Sequence, residues 1–260
     1  MIKTIKSRNN YDINCNTDID KNNDKIYIFL HGLGGNQRRP AVLKVIETLE
    51  KIGIGAITFD FVGHGESKVD FNKFSIQNCV DDLNDVIKYV KTNYPNKKIG
   101  LFGTSMGGHI ILKDLLKNNI KVDSIVLKSP AIDIFGAVQN LKPYFDIDKK
   151  SKNFVLPLLK NFEFNEIILN DFINSTKELL KSQNKINAKT LIIQGQKDDI
   201  APSKTTENFA KAHFDNYTLK LFSNADHNFA NDGELEVICN LVKEFETNLK
   251  ENINENIFDC

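Results

Sequence analysis

The stretch Ile99-Gly100-Leu101-Phe102-Gly103-Thr104-Ser105-Met106-Gly107-Gly108-His109-Ile110 changes period in its middle. Ile99 to Phe102 is an apolar run suited to a buried strand, whereas Gly107 to Leu116 spaces its apolar residues as a helix does. The pattern Gly-x-Ser-x-Gly stands at the join. A chain that turns from strand to helix in so few residues must hold the serine in a cramped, positive-φ conformation, which requires small neighbours on both sides. Gly103 and Gly107 meet that requirement. Such a turn lifts the Ser105 hydroxyl clear of a sheet and leaves the N–H of Met106 at a helix N-terminus, where it can bind developing negative charge. Ser105 is therefore the candidate nucleophile, and the Met106 N–H a candidate oxyanion donor.

Upstream of this turn, Ile2 to Ser7 and Tyr11 to Cys15 read as a short edge hairpin. Lys25 to Leu30 reads as a buried strand ending in the glycine-rich loop His31-Gly32-Leu33-Gly34-Gly35. Glycines let the backbone approach a ligand closely there, which makes the N–H of Leu33 the second candidate oxyanion donor. Helical periodicity follows over Pro40 to Ile52, a strand over Gly55 to Phe61, and a helix over Ile76 to Asn93. Downstream, Asp123 to Lys128 is a strand. The alternation resumes with a strand at Thr190 to Gln194, a helix from Ser203 to His213, a strand from Thr218 to Phe222 and a helix from Glu234 to Asn248, after which the polar tail is expected to fray. Strands alternating with helices imply a mainly parallel sheet covered on both faces, with ligands bound beyond the carboxyl ends of its strands.

Between Ala131 and Asn187 the alternation breaks into helical fragments rich in aromatics, among them Phe135, Tyr144, Phe145, Phe154, Phe162, Phe164 and Phe172. This segment is expected to be a mainly helical insertion. Part of its apolar face should roof the cleft that holds Ser105, and the rest should form a small core of its own.

A serine hydroxyl needs a base within hydrogen-bond reach. His31 and His64 sit in glycine-rich turns, His109 follows the nucleophile on its helix, and His213 ends a helix. His227 lies in the loop Ser223 to Phe229 after the final strand, which opens at the same sheet edge as Ser105, and is the expected base. The base needs a carboxylate to fix its tautomer. Asp198, in the turn after the preceding strand, is the expected acid, with Asp199 and Asp133 as alternatives; Asp226 is discounted because neighbouring side chains in an extended loop point apart.

Together these residues resemble the α/β-hydrolase superfamily over nearly the whole chain, in the order Ser, Asp, His. His31-Gly32 resembles its oxyanion motif, Gly103 to Gly108 its nucleophile elbow, Gly195-x-x-Asp198-x-x-x-Pro202 its acid turn and Ala225-Asp-His227-Asn-Phe its base loop. Phe59-Asp-Phe-Val-Gly-His-Gly-Glu-Ser67 and the helix after it are similar to the cinnamoyl and feruloyl esterase subgroup, itself similar to the monoacylglycerol lipases. The second residue of the elbow, usually His in that subgroup, is Thr104. The resemblance implies an eight-stranded, mainly parallel sheet flanked by helices, a core of residues 1–130 and 188–260, and a cap over 131–187. It also implies a serine hydrolase of carboxylic esters, with Ser105, Asp198 and His227 catalytic and the N–H groups of Leu33 and Met106 holding the oxyanion. Short to medium aliphatic or aryl acyl groups are expected. A thioesterase, a carbon–carbon bond hydrolase of the same fold and a ligand-sensing protein that keeps the triad need no different residues. An epoxide hydrolase or haloalkane dehalogenase would carry Asp in place of Ser105.

Composition narrows the rest. The 260 residues are 41% hydrophobic, and 34 basic side chains balance 34 acidic ones, so nothing draws the chain toward nucleic acid or an anionic membrane. The widely separated Cys15, Cys79, Cys239 and Cys260 suggest neither a zinc site nor a disulfide framework. Reduced thiols, the absence of an apolar signal segment and the absence of a membrane-spanning run point to the cytoplasm. No metal or cofactor is expected. The expected partner is a small-molecule ester, with a homodimer left open.

Overall fold

The strands Lys25–Leu30 and Ile54–Phe59 are buried along their whole length, as near-continuous apolar runs must be in a parallel sheet covered on both faces. A computed structural model describes residues 1–118, 121–141, 143, 146–147, 154–155 and 163–255. In chain order its elements are β1 (Ile2–Lys6), β2 (Asp12–Asp18), β3 (Lys25–Leu30), α1 (Pro40–Glu50), β4 (Ile54–Phe59), α2 (Ile76–Asn93), β5 (Lys98–Thr104), α3 (Met106–Asn118) and β6 (Ser124–Lys128). There follow α4 (Ile134–Asn140), the two-residue strands β7 (Asp146–Ile147), β8 (Phe154–Val155) and β9 (Glu163–Phe164), and α5 (Glu166–Lys181). The chain closes with β10 (Lys189–Gly195), α6 (Ser203–His213), β11 (Tyr217–Phe222) and α7 (Glu234–Glu255). The last helix runs on to Glu255, beyond the point where fraying was expected.

Eight strands form one sheet in the order β1-β2-β4-β3-β5-β6-β10-β11. The pairs β1–β2 and β2–β4 are antiparallel, and every other pair is parallel. Because β4 lies on one side of β3 and β5 on the other, the chain reverses its direction of winding beside β3, which opens a crevice at the carboxyl ends of β3 and β5. On one face α1 and α7 cover Tyr27, Phe29, Phe102, Val126 and Ile193. The opposite face carries α2, α3 and α6 over Ile28, Leu101, Ile125 and Ile192.

Among the described residues, the segment between β6 and β10 holds two helices and also a small antiparallel sheet in the order β7-β8-β9, which helical periodicity gave no means of anticipating. Its aromatics divide. Phe164 and Phe172 are fully buried and pack in the main core beside Phe71 and Phe74, with ring centroids 6.3 and 6.0 Å apart respectively, so they do not form a separate core. Phe135 is partly buried against that same core. Tyr144, Phe145 and Phe162, like Cys260, lie outside the described residues, and β8 is described by its backbone alone. Helix α5 docks on α2 and α3 through polar ties: the Asp171 carboxylate accepts the Ile76 N–H at 2.7 Å, and Lys113 donates to Glu178 at 2.7 Å.

At the amino ends of the strands, remote from Ser105, a buried polar cluster fastens α7 to the sheet. Glu246, fully buried, accepts from Lys25 Nζ at 2.6 Å, from the Tyr27 hydroxyl at 2.5 Å and from Ser124 Oγ at 2.8 Å. Lys25 also pairs with Asp123. Three donors on one carboxylate offset its desolvation, and removing it leaves Lys25 with Asp123 as its remaining carboxylate and takes the acceptor from the buried Tyr27 and Ser124 hydroxyls. Glu246→Ala should therefore lower stability by about 3–5 kcal/mol in urea unfolding, whereas a loss under about 1 kcal/mol would show the cluster to be dispensable.

Candidate active site

Ser105 lies between β5 and α3 with φ of 52°, the left-handed conformation expected for it. The glycines around it are there for space. A Cβ on Gly107 would overlap the carbonyl oxygen of Leu30 at the end of β3, and one on Gly103 would stand 2.7 Å from the backbone nitrogen of Gly108. Real side chains do not approach backbone that closely, so α3 can start against β3 only with glycine at both places. The strained turn is held on both sides, because the Ser105 N–H donates to the Lys128 carbonyl at 3.0 Å and the Ser105 carbonyl accepts from Ala131 at 3.1 Å.

The loop after β3 meets the same turn. A Cβ on Gly32 would lie 3.2 Å from that of Ser105, so Leu33 follows the point of closest approach. The Gly35 N–H closes the turn on the Gly32 carbonyl at 2.9 Å. Met106 opens α3, and its N–H therefore has no partner within the helix. Gly32, the residue before Leu33, thus lies against Ser105, and Met106 follows it in the chain.

His227 bridges the serine and an acid. Ser105 Oγ lies 3.0 Å from His227 Nε2, and His227 Nδ1 lies 2.8 Å from Asp198 Oδ2. Since the carboxylate can only accept, Nδ1 carries the proton and Nε2 is left to accept the serine hydroxyl. The Asp198 side chain is fully buried and also accepts from the N–H groups of Ile200 at 3.1 Å and Ala201 at 2.7 Å, and from Gln194 Nε2 at 2.9 Å. These bonds fix its orientation.

The other candidates are engaged elsewhere. Asp199 is exposed, Asp133 caps α4 by accepting the Gly136 N–H at 2.7 Å, and Asp226 accepts the Asn228 N–H at 2.9 Å. His31 donates from Nδ1 to the Gly32 carbonyl at 2.8 Å and accepts the Phe61 N–H at Nε2, 3.2 Å away. Burial pushes His31 down to about 4, His64 to about 3 and His109 to about 4, so all three are neutral near pH 7. His109 links α3 to α5, donating from Nδ1 to the Ala131 carbonyl at 3.0 Å while the Ser175 hydroxyl donates to Nε2 at 2.7 Å. His213 is buried against the Asn184 carbonyl.

Three supporting residues escaped the sequence reading. Gln194, fully buried at the end of β10, takes the Thr206 hydroxyl on its oxygen at 3.1 Å and presents its amide to Asp198. Lys128 and Ser129, at the end of β6, both donate to the carbonyl oxygen of His227, at 3.0 and 2.9 Å. Ser129 reaches it by adopting φ of 44°, uncommon for a residue with a side chain. Each of these polar residues ends an otherwise apolar strand, and that was the available signal. Asp60 plays the matching part for the oxyanion side: it accepts from Gln37 N at 2.8 Å, Gln37 Nε2 at 2.8 Å and Glu66 N at 2.9 Å, tying the loop after β3 to the turn after β4. Among the described residues, no three His, Cys, Asp or Glu side chains gather as metal ligands would, and no helix is long and apolar enough to cross a membrane.

Residues 21–162 match the profile of Hydrolase_4, described as serine aminopeptidase, S33. The chain belongs to that family. Beyond it, the chain is 26% identical over 249 residues to a monoglyceride lipase homolog of Monkeypox virus, covering 86% of this chain and 88% of the relative. A putative esterase/lipase of Mycoplasma genitalium is 23% identical over 253 residues, covering 88% and 92%. Among solved structures, the esterase Est1E of Butyrivibrio proteoclasticus with ferulic acid bound superposes with a TM-score of 0.76 at 20% identity, over 96% of this chain and 99% of that one. The fold is thus that of the α/β-hydrolases, and the protein is a hydrolase of the esterase/lipase type.

If Asp198 is the acid that orients His227, Asp198→Asn should keep the fold and lower kcat about a hundredfold or more, while Asp199→Asn should change it less than about tenfold. Steady-state kinetics on a p-nitrophenyl ester decide this, and a crippled Asp199→Asn enzyme would overturn the assignment.

Proposed function

We propose that the protein hydrolyses carboxylic esters of short to medium aliphatic or aryl acyl groups through an acyl-enzyme. The hydrogen-bonded line Ser105–His227–Asp198 carries this reading. Ser105 Oγ attacks the ester carbonyl carbon as its proton passes to His227 Nε2. The carbonyl oxygen gains the negative charge and meets the N–H groups of Leu33 and Met106, whose effect is large because they are already oriented. Asp198 stabilises the imidazolium without taking its proton. Collapse of the intermediate breaks the ester bond, and the alcohol leaves with the proton from His227. Water then repeats the sequence, with His227 as base, and releases the acid and Ser105.

In this reading residues 1–130 and 188–260 make the catalytic body, and 131–187 make a cap whose apolar side bounds the acyl site. The printed names of the relatives, a monoglyceride lipase homolog and an esterase/lipase, support the ester bond as the target. An apolar acyl site favours longer chains until it is full. With about 0.8 kcal/mol per buried methylene, going from a two- to a four-carbon acyl group should raise kcat/KM by roughly an order of magnitude.

Three measurements test the proposal. A fluorophosphonate should label the protein at Ser105 alone, and Ser105→Ala should abolish both labelling and turnover; labelling that survives the substitution contradicts the role of Ser105. Across p-nitrophenyl esters kcat/KM should rise from acetate and fall again for long chains. A flat profile from acetate to octanoate, or a maximum on emulsified long-chain triglycerides, would show that no closed acyl site exists. Faster turnover of acyl-thioesters than of the matching esters would move the assignment to a thioesterase.

A further inference from the structure

Behind the elbow, on the face of the sheet covered by α1 and α7, lies a cavity of about 90 Å³. Val42 and Val45 of α1, Phe102 and Thr104 of β5, and Leu235 and Ile238 of α7 supply most of its wall. Lys128, Asn228 and Phe229 complete it, and none of Ser105, His227 or Asp198 contributes. The alternation of β5 separates it from the cap: Leu101 faces the α2–α3 side, whereas Phe102 and Thr104 face this one.

Lys128 is out of place in such a wall. Only 9% exposed, its ammonium gives one hydrogen bond to the His227 carbonyl and stands 4.7 Å from the centre of the Phe229 ring, itself part of the wall. Among the described residues it has no second acceptor and no carboxylate within ion-pair distance. An ammonium has three N–H donors, and a buried one with unused donors is costly unless an anion or water completes it. The rest of the wall is apolar and suits a short alkyl chain. A space of this size accepts on the order of half a dozen non-hydrogen atoms.

We propose that this cavity is a binding site for a short unbranched monocarboxylate of the size of butyrate, its carboxylate on Lys128 Nζ and its chain between α1 and α7. One cation calls for one negative charge. The charged groups that act on Lys128 are Asp198, Asp226 and Glu234, which favour its protonation, and Arg39, which opposes it; the three carboxylates act against any anion, so only the direct contact with the ammonium holds one, and a second negative charge would add to the cost. Burial lowers Lys128 to about 8, so the ammonium is present near neutrality and binding should weaken as pH rises through that value. The site requires no turnover and stands or falls separately from the role of Ser105.

The test is calorimetric titration of the full chain with sodium butyrate near pH 7, before and after phosphonylation of Ser105 to block the cleft; if Ser105 does not react, the position of the bromine in the 4-bromobutyrate soak and the Val45→Phe variant decide. A dissociation constant on the order of millimolar is expected in both forms. Binding should weaken at least about tenfold for 1-butanol, for Lys128→Met and for Val45→Phe, which fills the cavity without touching the cation. Soaking with 4-bromobutyrate should place the bromine between α1 and α7. Equal binding of butanol and butyrate, binding lost on phosphonylation, or butyrate binding unchanged in Val45→Phe would overturn the proposal. No binding up to about 50 mM, well above the expected constant, would show that the cavity holds only water. Should Lys128→Met fail to fold, Val45→Phe and the alcohol decide.

Discussion

The contact on which the site depends is that between the first turn of α3 and the carbonyl end of β3. Any side chain at Gly107 would overlap the Leu30 carbonyl, so the absence of one atom sets how closely the helix can approach the sheet. Ser105 is forced into φ of 52° because the strand and helix it joins are both packed to that limit. The same approach brings the helix N-terminus and the loop after β3 to the two sides of the serine. Backbone hydrogen bonds from β6 and from Ala131 restrain the strained residue, so it does not relax into an ordinary turn.

The base loop is held by the same logic from the far side. β6 contributes Lys128 and Ser129 to the His227 carbonyl, and β10 contributes Gln194 to Asp198. A second strained residue, Ser129, serves this support, so the two left-handed serines lie at the ends of neighbouring strands. The close passage of the base loop over Gly195, where a Cβ would overlap the Ala225 carbonyl, completes the arrangement. The geometry of the candidate site thus rests on several strand ends at once, with the polar cluster around Glu246 at the opposite end of the sheet.

Much of this was legible in the sequence, for physical reasons. The alternation of apolar runs with helical stripes implied the parallel sheet, and the glycines around Ser105 implied a turn that only they permit. His227 and Asp198 could be placed because both follow strands whose ends must share an edge with Ser105. Other features depend on pairings that one sequence does not display. Lys25 and Glu246 are 221 residues apart, and nothing local marks either as buried. Phe164 and Phe172 were expected in a core belonging to the insertion, but α5 docks on α2 and α3 through Asp171 and Glu178, which carries those rings into the main core. Lys128 read as the polar end of a strand, and only the fold shows it beneath the base loop.

In the proposed reaction Ser105 carries the acyl group between two half-reactions. Mixing the protein with p-nitrophenyl butyrate, quenching in acid within milliseconds and mapping peptides by mass spectrometry tests it directly. One butyryl group is expected on the peptide containing Ser105, disappearing when the reaction is left to run before quenching. A butyryl adduct on any other peptide, or turnover with no adduct at any quench time, would contradict the account.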